Sequence, residues 1–524
     1  MSAPLQPTLP PHSEAFLAEI NAQLKQQLDA ATKELAYARM KIQVLEEHLR
    51  LRRIAKYGPG SEKLSDLQLE LLEQEPGVSS EEVQAEGERG SLPAAGGQKK
   101  RERRAHPGRQ TLPADLPRVE KIVACTPAQC VCGQCGVETK VIGYDESEVL
   151  SVKPAEYYIE VIKREKRACK QCEEQGVAMA PLPTRIIEKS LVSDRIIIDT
   201  IVNKYTAHLP LYRQSALLER DCGIAITRAT MCGWLMTVGE MLSPIVGAMR
   251  QEILASGYIQ ADETPVDVQT HDKRGKNHRA FLWQYGTPGG GAVFDFRMSR
   301  GREGPHRFLG AFTGILQTDD YVGYERGLGD PKMVHACCWS HARRNFVDAV
   351  KLNKQDAGSI RAVELMDKLF AIDAQAREEN MDHAARHILR QEQAPPVLEE
   401  IREHIQTMRP SVLPGSKGAQ ACKYTLTLWD KLTRFLDHSR LELSNNLAEN
   451  SMRPVALGRA NWIHIGSPQA GPRVAAILSV VESCRRLRVP VREYLADILP
   501  GLADISIQHV AALTPTAWAA KIRA

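Results

Sequence analysis

The alternation of apolar and polar residues after Gly257 is the feature that most restricts how this chain can fold. Period-two patterning predicts strands over 258–262, 278–286 and 292–299, followed by a short helix over 305–312. Two further strands are predicted over 314–319 and 333–338. The predicted order is three strands, a helix, a strand, a helix and a strand. This order is typical of a mixed sheet whose first and fourth strands are neighbours.

Acidic residues end both of those neighbouring strands. Asp262 ends the first and Asp319 the fourth, while Glu449 lies in the first turns of a helix that begins within 443–452, after a helical stretch over 340–440. Hard cations such as Mg²⁺ prefer carboxylate oxygens, and a pair of them can promote phosphoryl transfer. From placement alone, a metal-dependent polynucleotidyl transferase and simple solvent-facing acids are equal alternatives, and other metal enzymes are a third.

A heptad repeat dominates the N-terminal part, after a lead over 1–12 whose four prolines predict disorder. Position a holds Leu28, Leu35, Ile42 and Leu49, position d holds Leu24, Ala31, Ala38 and Leu45, and a polar Asn21 stands at a. The pattern predicts a coiled coil over 13–57 that makes the protein at least a dimer. A helix packed against its own chain is the alternative.

A basic segment lies inside the linker predicted over 58–115, which is rich in Gly, Pro, Glu and Ser. Neutralisation of DNA phosphates and an ordinary solvated charge run are the two interpretations of this segment. Its positive residues are Lys99, Lys100, Arg101, Arg103, Arg104 and Arg109.

Two Cys-x-x-Cys pairs follow, Cys132 with Cys135 and Cys169 with Cys172. Four thiolates at two facing turns bind Zn²⁺ tetrahedrally, so a zinc ribbon with one structural zinc is predicted over 116–182. Redox pairs or surface thiols are the alternative.

Three helices are predicted over 183–250, with Gly223 ending the second and Thr227 starting the third. Packing of the three on one another is slightly favoured over a helix-turn-helix that presents Arg228 to DNA. No apolar run reaches the roughly 18 residues of a membrane span, and the N-terminus lacks a secretory pattern, so a soluble, cytoplasmic protein without a membrane partner is expected.

Four blocks resemble the signature blocks of the insertion-sequence 66 family of DDE transposases. They are ADETPV (261–266), LQTDDYVGY (316–324), CWSHARRNF (338–346) and NNLAENSMRPVALGRANW (445–462). The heptad helix, GSEKL (60–64) and the paired Cys-x-x-Cys motifs are similar to that family as well. The resemblance implies Asp262, Asp319 and Glu449 as a catalytic triad holding two Mg²⁺ or Mn²⁺ ions on a ribonuclease H-like fold, with a helical insertion before the glutamate.

One departure concerns Asp320, where the family commonly carries glycine. Neighbouring residues on a strand point to opposite sides, and the family position favours Asp319. We therefore expect Asp320, and likewise Glu263 beside Asp262, to be solvated or to support the site from outside the metal shell.

Basic residues near these acids are candidate DNA ligands. His341 could approach the scissile phosphate or be satisfied by backbone at its helix start, and the net positive charge over 453–492 could form a DNA face or a solvated helix face. The candidates are His341, Arg343, Arg344, Arg453 and Arg459.

The predicted protein is thus a multidomain α+β chain. After the zinc ribbon come a helical domain over 183–250, the first catalytic part over 251–345, the insertion over 346–440, the second catalytic part over 441–500 and a C-terminal tail over 501–524. The predicted function is that of a bacterial transposase that binds element ends and target DNA, with accessory proteins from the same element as possible partners. A non-catalytic DNA-binding regulator and a purely hydrolytic nuclease are the alternatives.

Overall fold

The structure is a computed structural model that describes most of the chain. It describes residues 11–57, 118–126, 156–168, 177–270, 275–324 and 333–523, with single positions between 130 and 149. The lead over 1–10, the basic linker and the four cysteines of the Cys-x-x-Cys pairs lie outside the described residues. The predictions made for them therefore stay predictions.

A single long helix, α1 (Pro11–Tyr57), covers the heptad repeat. It begins two residues before the predicted Ser13, because proline is tolerated in the first turn of a helix. The described leucine and isoleucine side chains of the seam are all half exposed or more, from Leu35 at 51% to Leu28 at 67%. The helix is thus confirmed, and its apolar seam is open to a partner.

The chain divides into two compact units, one formed by Met1–Ala95 with Leu182–Ala524 and the other by Gly96–Pro181. In the second unit, β1 (Lys166–Ala168) pairs antiparallel with β2 (Val177–Met179). Arg164 Nε donates to the carbonyl of Ala180 at 2.7 Å and extends this hairpin. The paired strands flank the positions of the second Cys-x-x-Cys motif.

Three helices follow in the larger unit: α2 (Asp194–Tyr205), α3 (Leu211–Cys222) and α4 (Arg228–Ala255). Gly223 ends α3 in the left-handed conformation, and Thr227 Oγ1 accepts from the backbone N–H of Thr230, as predicted. By length and composition α4 could cross a membrane, but it buries a face in the protein core as long helices of globular domains do.

A mixed six-stranded sheet forms the centre of this unit. The strands are β3 (Tyr258–Val268), β4 (His278–Gly286), β5 (Ala292–Arg297), β6 (Ile315–Thr318), β7 (Val334–Cys337) and β8 (His464–Ile465), with the short helix α5 (Glu303–Leu309) before β6. Their order is β5-β4-β3-β6-β7, and β8 pairs with the far end of β3. The first and fourth strands are parallel neighbours, which confirms the prediction.

The end of β3 was predicted wrongly, whereas the other strand ends lie within two residues of their predicted positions. β3 does not end at Asp262 but continues to Val268, because β4 pairs with it from Gln260 to Val268. Asp262 therefore lies in the middle of a strand, whereas the neighbouring β6 ends at Thr318, just before Asp319.

The helical insertion starts after β7 and has its own hydrophobic core. Its helices are α6 (Trp339–Leu352), α7 (Ala357–Glu378), α8 (His383–Met408), α9 (Lys417–Thr427) and α10 (Trp429–Leu432). At its base the backbone N–H of Trp339 donates to the carbonyl of Leu443 at 2.8 Å, so the two ends of the insertion are joined.

The remaining helices return to the sheet. They are α11 (Asn446–Trp462), α12 (Ala470–Leu487), α13 (Val491–Ile498) and α14 (Pro515–Arg523). α12 covers the edge strand β5, where the hydroxyls of Ser479 and Ser483 accept from the N–H groups of Phe294 and Ala292, each at 2.8 Å. Within 501–524, Trp518 of α14 is buried against Tyr494.

An ion network fastens the insertion to the segment that leads into α11. Glu442 lies 2.6 Å from Arg377 of α7 and 2.8 Å from Arg386 of α8. Burial opposes the charge of Glu442, but the arginines outweigh it and lower its pKa to about 2. Nearby, Arg390 pairs with Asp373 and donates to the carbonyl of Leu441 at 2.7 Å.

We expect Leu35→Asp to disrupt self-association through α1, because it places a charge in the apolar seam. The dimer dissociation constant, measured by sedimentation velocity, should rise about 100-fold or more. Ala30→Asp, an exposed change at a heptad position outside the seam, is the control. An unchanged association state in Leu35→Asp would exclude the seam as the contact.

We expect Glu442→Gln to destabilise the protein by about 3–5 kcal/mol at pH 7, because it leaves buried arginines without their counter-charge. The lowered pKa of Glu442 means that its contribution is present above the ordinary value of 4.5 and is lost as the pH falls towards 2. Chemical unfolding at pH 7 and pH 3 measures this: the wild-type and variant curves should approach each other at pH 3. Glu400→Gln is the control, because Glu400 forms an exposed ion pair with Lys368. This variant should have the same unfolding curves as the wild type at pH 7 and at pH 3.

Candidate active site

Strand register brings the two predicted aspartates together. Gln260 of β3 pairs with Gln317 of β6 in a parallel register, so Asp262 and Asp319 each stand two residues further along adjacent chains. Because β6 ends at Thr318 while β3 continues, Asp319 occupies the turn beside the middle of β3. This turn is fixed by Asp319 Oδ1, which accepts from the N–H of Tyr321 at 3.0 Å.

A buried polar network secures that register. Gln317 Oε1 accepts from the hydroxyl of Tyr258 at 2.6 Å and from Gln260 Nε2 at 3.0 Å. The amide groups reach on to the segment before α11: Gln260 Nε2 donates to the carbonyl of Ser444 at 3.0 Å, and Gln317 Nε2 to that of Glu442 at 2.7 Å. One network therefore aligns both strands and holds the chain that leads to Glu449.

Glu449 lies in the first turn of α11, which begins within the predicted range 443–452, although the side chain of the preceding Asn445 makes no capping bond. Its Oε2 accepts from Arg344 Nη2 at 3.1 Å, and its Oε1 lies 3.4 Å from His341 Nε2. Burial opposes the charge of Glu449, but Arg344 and His341 outweigh it and lower its pKa.

The charge of Asp262 is affected by the other acids of the site. Burial, followed by the carboxylates of Glu449, Glu263 and Asp319, raises the pKa of Asp262 to about 8. Carboxylates that raise the pKa of a neighbour in this way favour a bound cation, because a cation offsets their repulsion. The oxygen-only donor set of Asp262, Asp319 and Glu449 fits Mg²⁺ or Mn²⁺.

The neighbouring acids have other contacts. Glu263, 2% exposed at its side chain, forms an ion pair with Arg300 and accepts from the Tyr324 hydroxyl at 3.2 Å. It is thus not solvated but held beside the site. Asp320 lies 3.9 Å from Lys431 Nζ and faces α10. Sequence patterns gave no signal for Arg300, and Tyr324 was part of the LQTDDYVGY block without an assigned role.

The predicted basic residues have different surroundings. His341 and Arg344 contact Glu449, whereas Arg343 is buried and forms a two-point contact with Asp367, Nε to Oδ1 at 2.7 Å. Burial disfavours the charged ring of His341, but the Cys338 sulfur and Glu449 outweigh it and raise its pKa to about 10. Arg343 therefore joins α6 to α7, and His341 and Arg344 belong to the acidic cluster.

The two arginines of α11 diverge from the cluster. Arg459 Nη1 donates to Thr264 Oγ1 at 3.0 Å and to the carbonyl of Pro265 at 2.7 Å, on the stretch of β3 that lies between β6 and β8. Arg453 lines a cavity of about 400 Å³ together with Tyr205, Glu482 and Arg485.

Three family models match this chain. The model of the Transposase IS66 family matches residues 189–473, which include the whole acidic cluster. The model described as Transposase C of IS166 homeodomain matches residues 44–120, and that of the zinc-finger binding domain of transposase IS66 matches residues 129–173. These matches confirm the family resemblance of the sequence blocks.

Similar proteins occur in Sinorhizobium fredii (strain NBRC 101917 / NGR234). The uncharacterized protein y4qI is 30% identical over 529 residues, 95% of this chain and 95% of its own length. The uncharacterized protein y4hP is 27% identical and covers 91% of this chain and 88% of its own length. The uncharacterized protein y4jD is 30% identical over 78% of this chain and 82% of its own.

We expect Gln317→Leu to destabilise the protein because it strips partners from Tyr258, Gln260 and the carbonyl of Glu442. Each buried group left unpaired costs about 1–3 kcal/mol. Equilibrium unfolding in urea measures the loss. Tyr258→Phe removes a hydroxyl that contacts Gln317, Gln260 and the backbone N–H of Glu442, so it should cost a comparable amount. Unfolding curves that match the wild type in both variants would show that the network does not stabilise this part of the fold.

Proposed function

The chain belongs to the IS66 family of transposases, and on that premise we propose that it cuts and joins the ends of an insertion sequence through a DDE triad of Asp262, Asp319 and Glu449. The observation that supports the proposal is the parallel register of β3 and β6, which puts Asp262 and Asp319 at matching positions of adjacent chains. The raised pKa of Asp262, to which Glu449 and Asp319 contribute, agrees with it. The fold would then be ribonuclease H-like.

Two Mg²⁺ or Mn²⁺ ions would be held by the triad carboxylates, where they would activate the attacking oxygen and stabilise the leaving oxygen of an in-line phosphoryl transfer. Asp262 would provide a ligand from β3 and Asp319 one from the turn after β6, while Glu449 would provide one from a helix whose preceding segment is held by the Gln260–Gln317 network. Water attacks in cleavage and the freed 3′-hydroxyl attacks in joining, so no covalent link between protein and DNA is required.

Cationic side chains at the cluster fit a phosphate backbone. Arg344, with 38% of its side chain exposed, and His341 at the start of α6 can contact a phosphate while they orient Glu449. The basic segment over 99–109 and Arg453 are proposed as further DNA contacts. Arg343 and Arg459 are bound to protein groups, Arg343 to Asp367 and Arg459 to Thr264 and Pro265. To bind DNA, each would have to leave these partners.

The outer modules would serve assembly on the element ends. A seam of exposed leucines on α1 supports self-association, so that two ends are held by one oligomer. The zinc-finger domain indicates one structural zinc, for which Cys132, Cys135, Cys169 and Cys172 are the proposed ligands.

We expect Asp262→Ala, Asp319→Ala and Glu449→Ala each to reduce Mg²⁺-dependent strand transfer by at least about 1,000-fold, because each removes a ligand of the reacting centre. Binding of labelled element ends, measured by gel shift, should be preserved. Asp267→Asn, an exposed change on the same strand as Asp262, is the control and should retain joining.

Substrates supplied with a pre-cut 3′-hydroxyl end and a target plasmid separate the alternatives. A transposase joins the two, whereas a hydrolytic nuclease only cuts the plasmid. Undiminished joining by Asp262→Ala would show that the triad is assigned wrongly, and binding without cutting or joining in the wild-type protein would favour a regulator.

A further inference from the structure

A second donor set lies directly beside the proposed triad. Cys338 precedes α6, and His341 lies in its first turn, three residues later and therefore on the same side of the chain. The Cys338 sulfur, a His341 ring nitrogen and a Glu449 carboxylate oxygen all lie within 4.8 Å of one another. The packing of α11 against the start of α6 thus brings a thiol, an imidazole and a carboxylate together.

Several polar atoms in this cluster have no hydrogen-bond partner within the described part of the chain. They include His341 Nδ1 and Glu449 Oε1, both buried, although Oε1 lies within ion-pair distance of His341 Nε2 at 3.4 Å. Asn445, whose backbone N–H donates to the Cys338 sulfur at 3.4 Å, is fully buried with its side-chain amide unpartnered. Buried polar groups are normally paired, so this concentration of unpaired atoms at one point indicates a place for a ligand.

The chemistry of the donors differs from that of the triad. A set of one sulfur, one nitrogen and one oxygen suits Zn²⁺, which takes three protein ligands and one open position at many sites. Mg²⁺ avoids thiolates and prefers the oxygen-only set of Asp262 and Asp319 with Glu449. Glu449 is a ligand in both sets, so its carboxylate cannot be fully available to Mg²⁺ while it binds Zn²⁺.

We propose that Cys338, His341 and Glu449 form a zinc-class metal site, and that zinc bound there inhibits the magnesium reaction by occupying Glu449. The first part stands on the donor geometry alone. The second part rests on the proposed DDE function, because only then does the loss of Glu449 stop the chemistry.

Cobalt tests the site without any DNA. The full-length protein, with its zinc-finger domain already loaded with zinc, is titrated with Co²⁺ alone, and thiolate-to-cobalt charge-transfer absorption is recorded. One additional equivalent of cobalt should give this absorption in the wild-type protein and in Cys337→Ser, whose thiol lies outside the cluster. Cys338→Ser should lose it, and His341→Gln should weaken cobalt binding about tenfold or more. Circular dichroism verifies that each variant is folded. If Cys338→Ser does not fold, the cobalt affinity of His341→Gln tests the site instead.

Zinc inhibition tests the consequence. Zn²⁺ added to Mg²⁺-dependent joining should inhibit the wild-type protein and Cys337→Ser at the same concentration. Cys338→Ser should need about tenfold more zinc or higher, each variant being compared with its own zinc-free rate.

The outcomes separate the two proposals. Identical cobalt spectra for wild type and Cys338→Ser overturn the metal site, whether or not the protein joins DNA. Cobalt bound at Cys338 with equal zinc sensitivity in both proteins overturns the inhibition. Cobalt bound at Cys338 in a protein that never joins DNA supports the site and contradicts the proposed function instead.

Discussion

The parallel pairing of β3 with β6 is the contact on which the candidate active site depends. It places two aspartates side by side, and the amides of Gln260 and Gln317 at the paired positions also bind the segment before α11. A slip of one residue between these strands would turn one aspartate to the opposite face of the sheet and break the amide contacts as well. The register is therefore supported by backbone and side chains together.

The insertion contributes to the site although it supplies little of the proposed chemistry. Its arginines bind Glu442, and this residue lies seven positions before Glu449 on the same segment. Packing of α7 and α8 is thereby coupled to the position of α11. The first helix of the insertion also carries His341 and Arg344, which contact Glu449 directly.

Sequence patterns predict those parts of the structure that depend on local order. β4 has its predicted bounds, and Gly223 and Thr227 mark helix ends as expected, because each is decided by residues near it in the chain. The end of β3 was missed, since Asp262, Glu263 and Asp267 interrupt the alternation and only pairing with β4 extends the strand. The roles of Gln260, Gln317 and Arg300 were missed as well, because their partners are far away in sequence and polar strand residues carry no distinctive pattern. The neighbouring positions of Asp262 and Asp319 follow from strand adjacency, which strand order does predict.

The backbone contact between Trp339 and Leu443 has a consequence for how such a protein can change over time. The two ends of the insertion are held together by this hydrogen bond, so the rest of the domain meets the insertion at one place. Residues added to or deleted from the insertion change its length without altering the distance between its first and last residues. The helices between these points are thus open to diversification, as long as the arginines that meet Glu442 are retained.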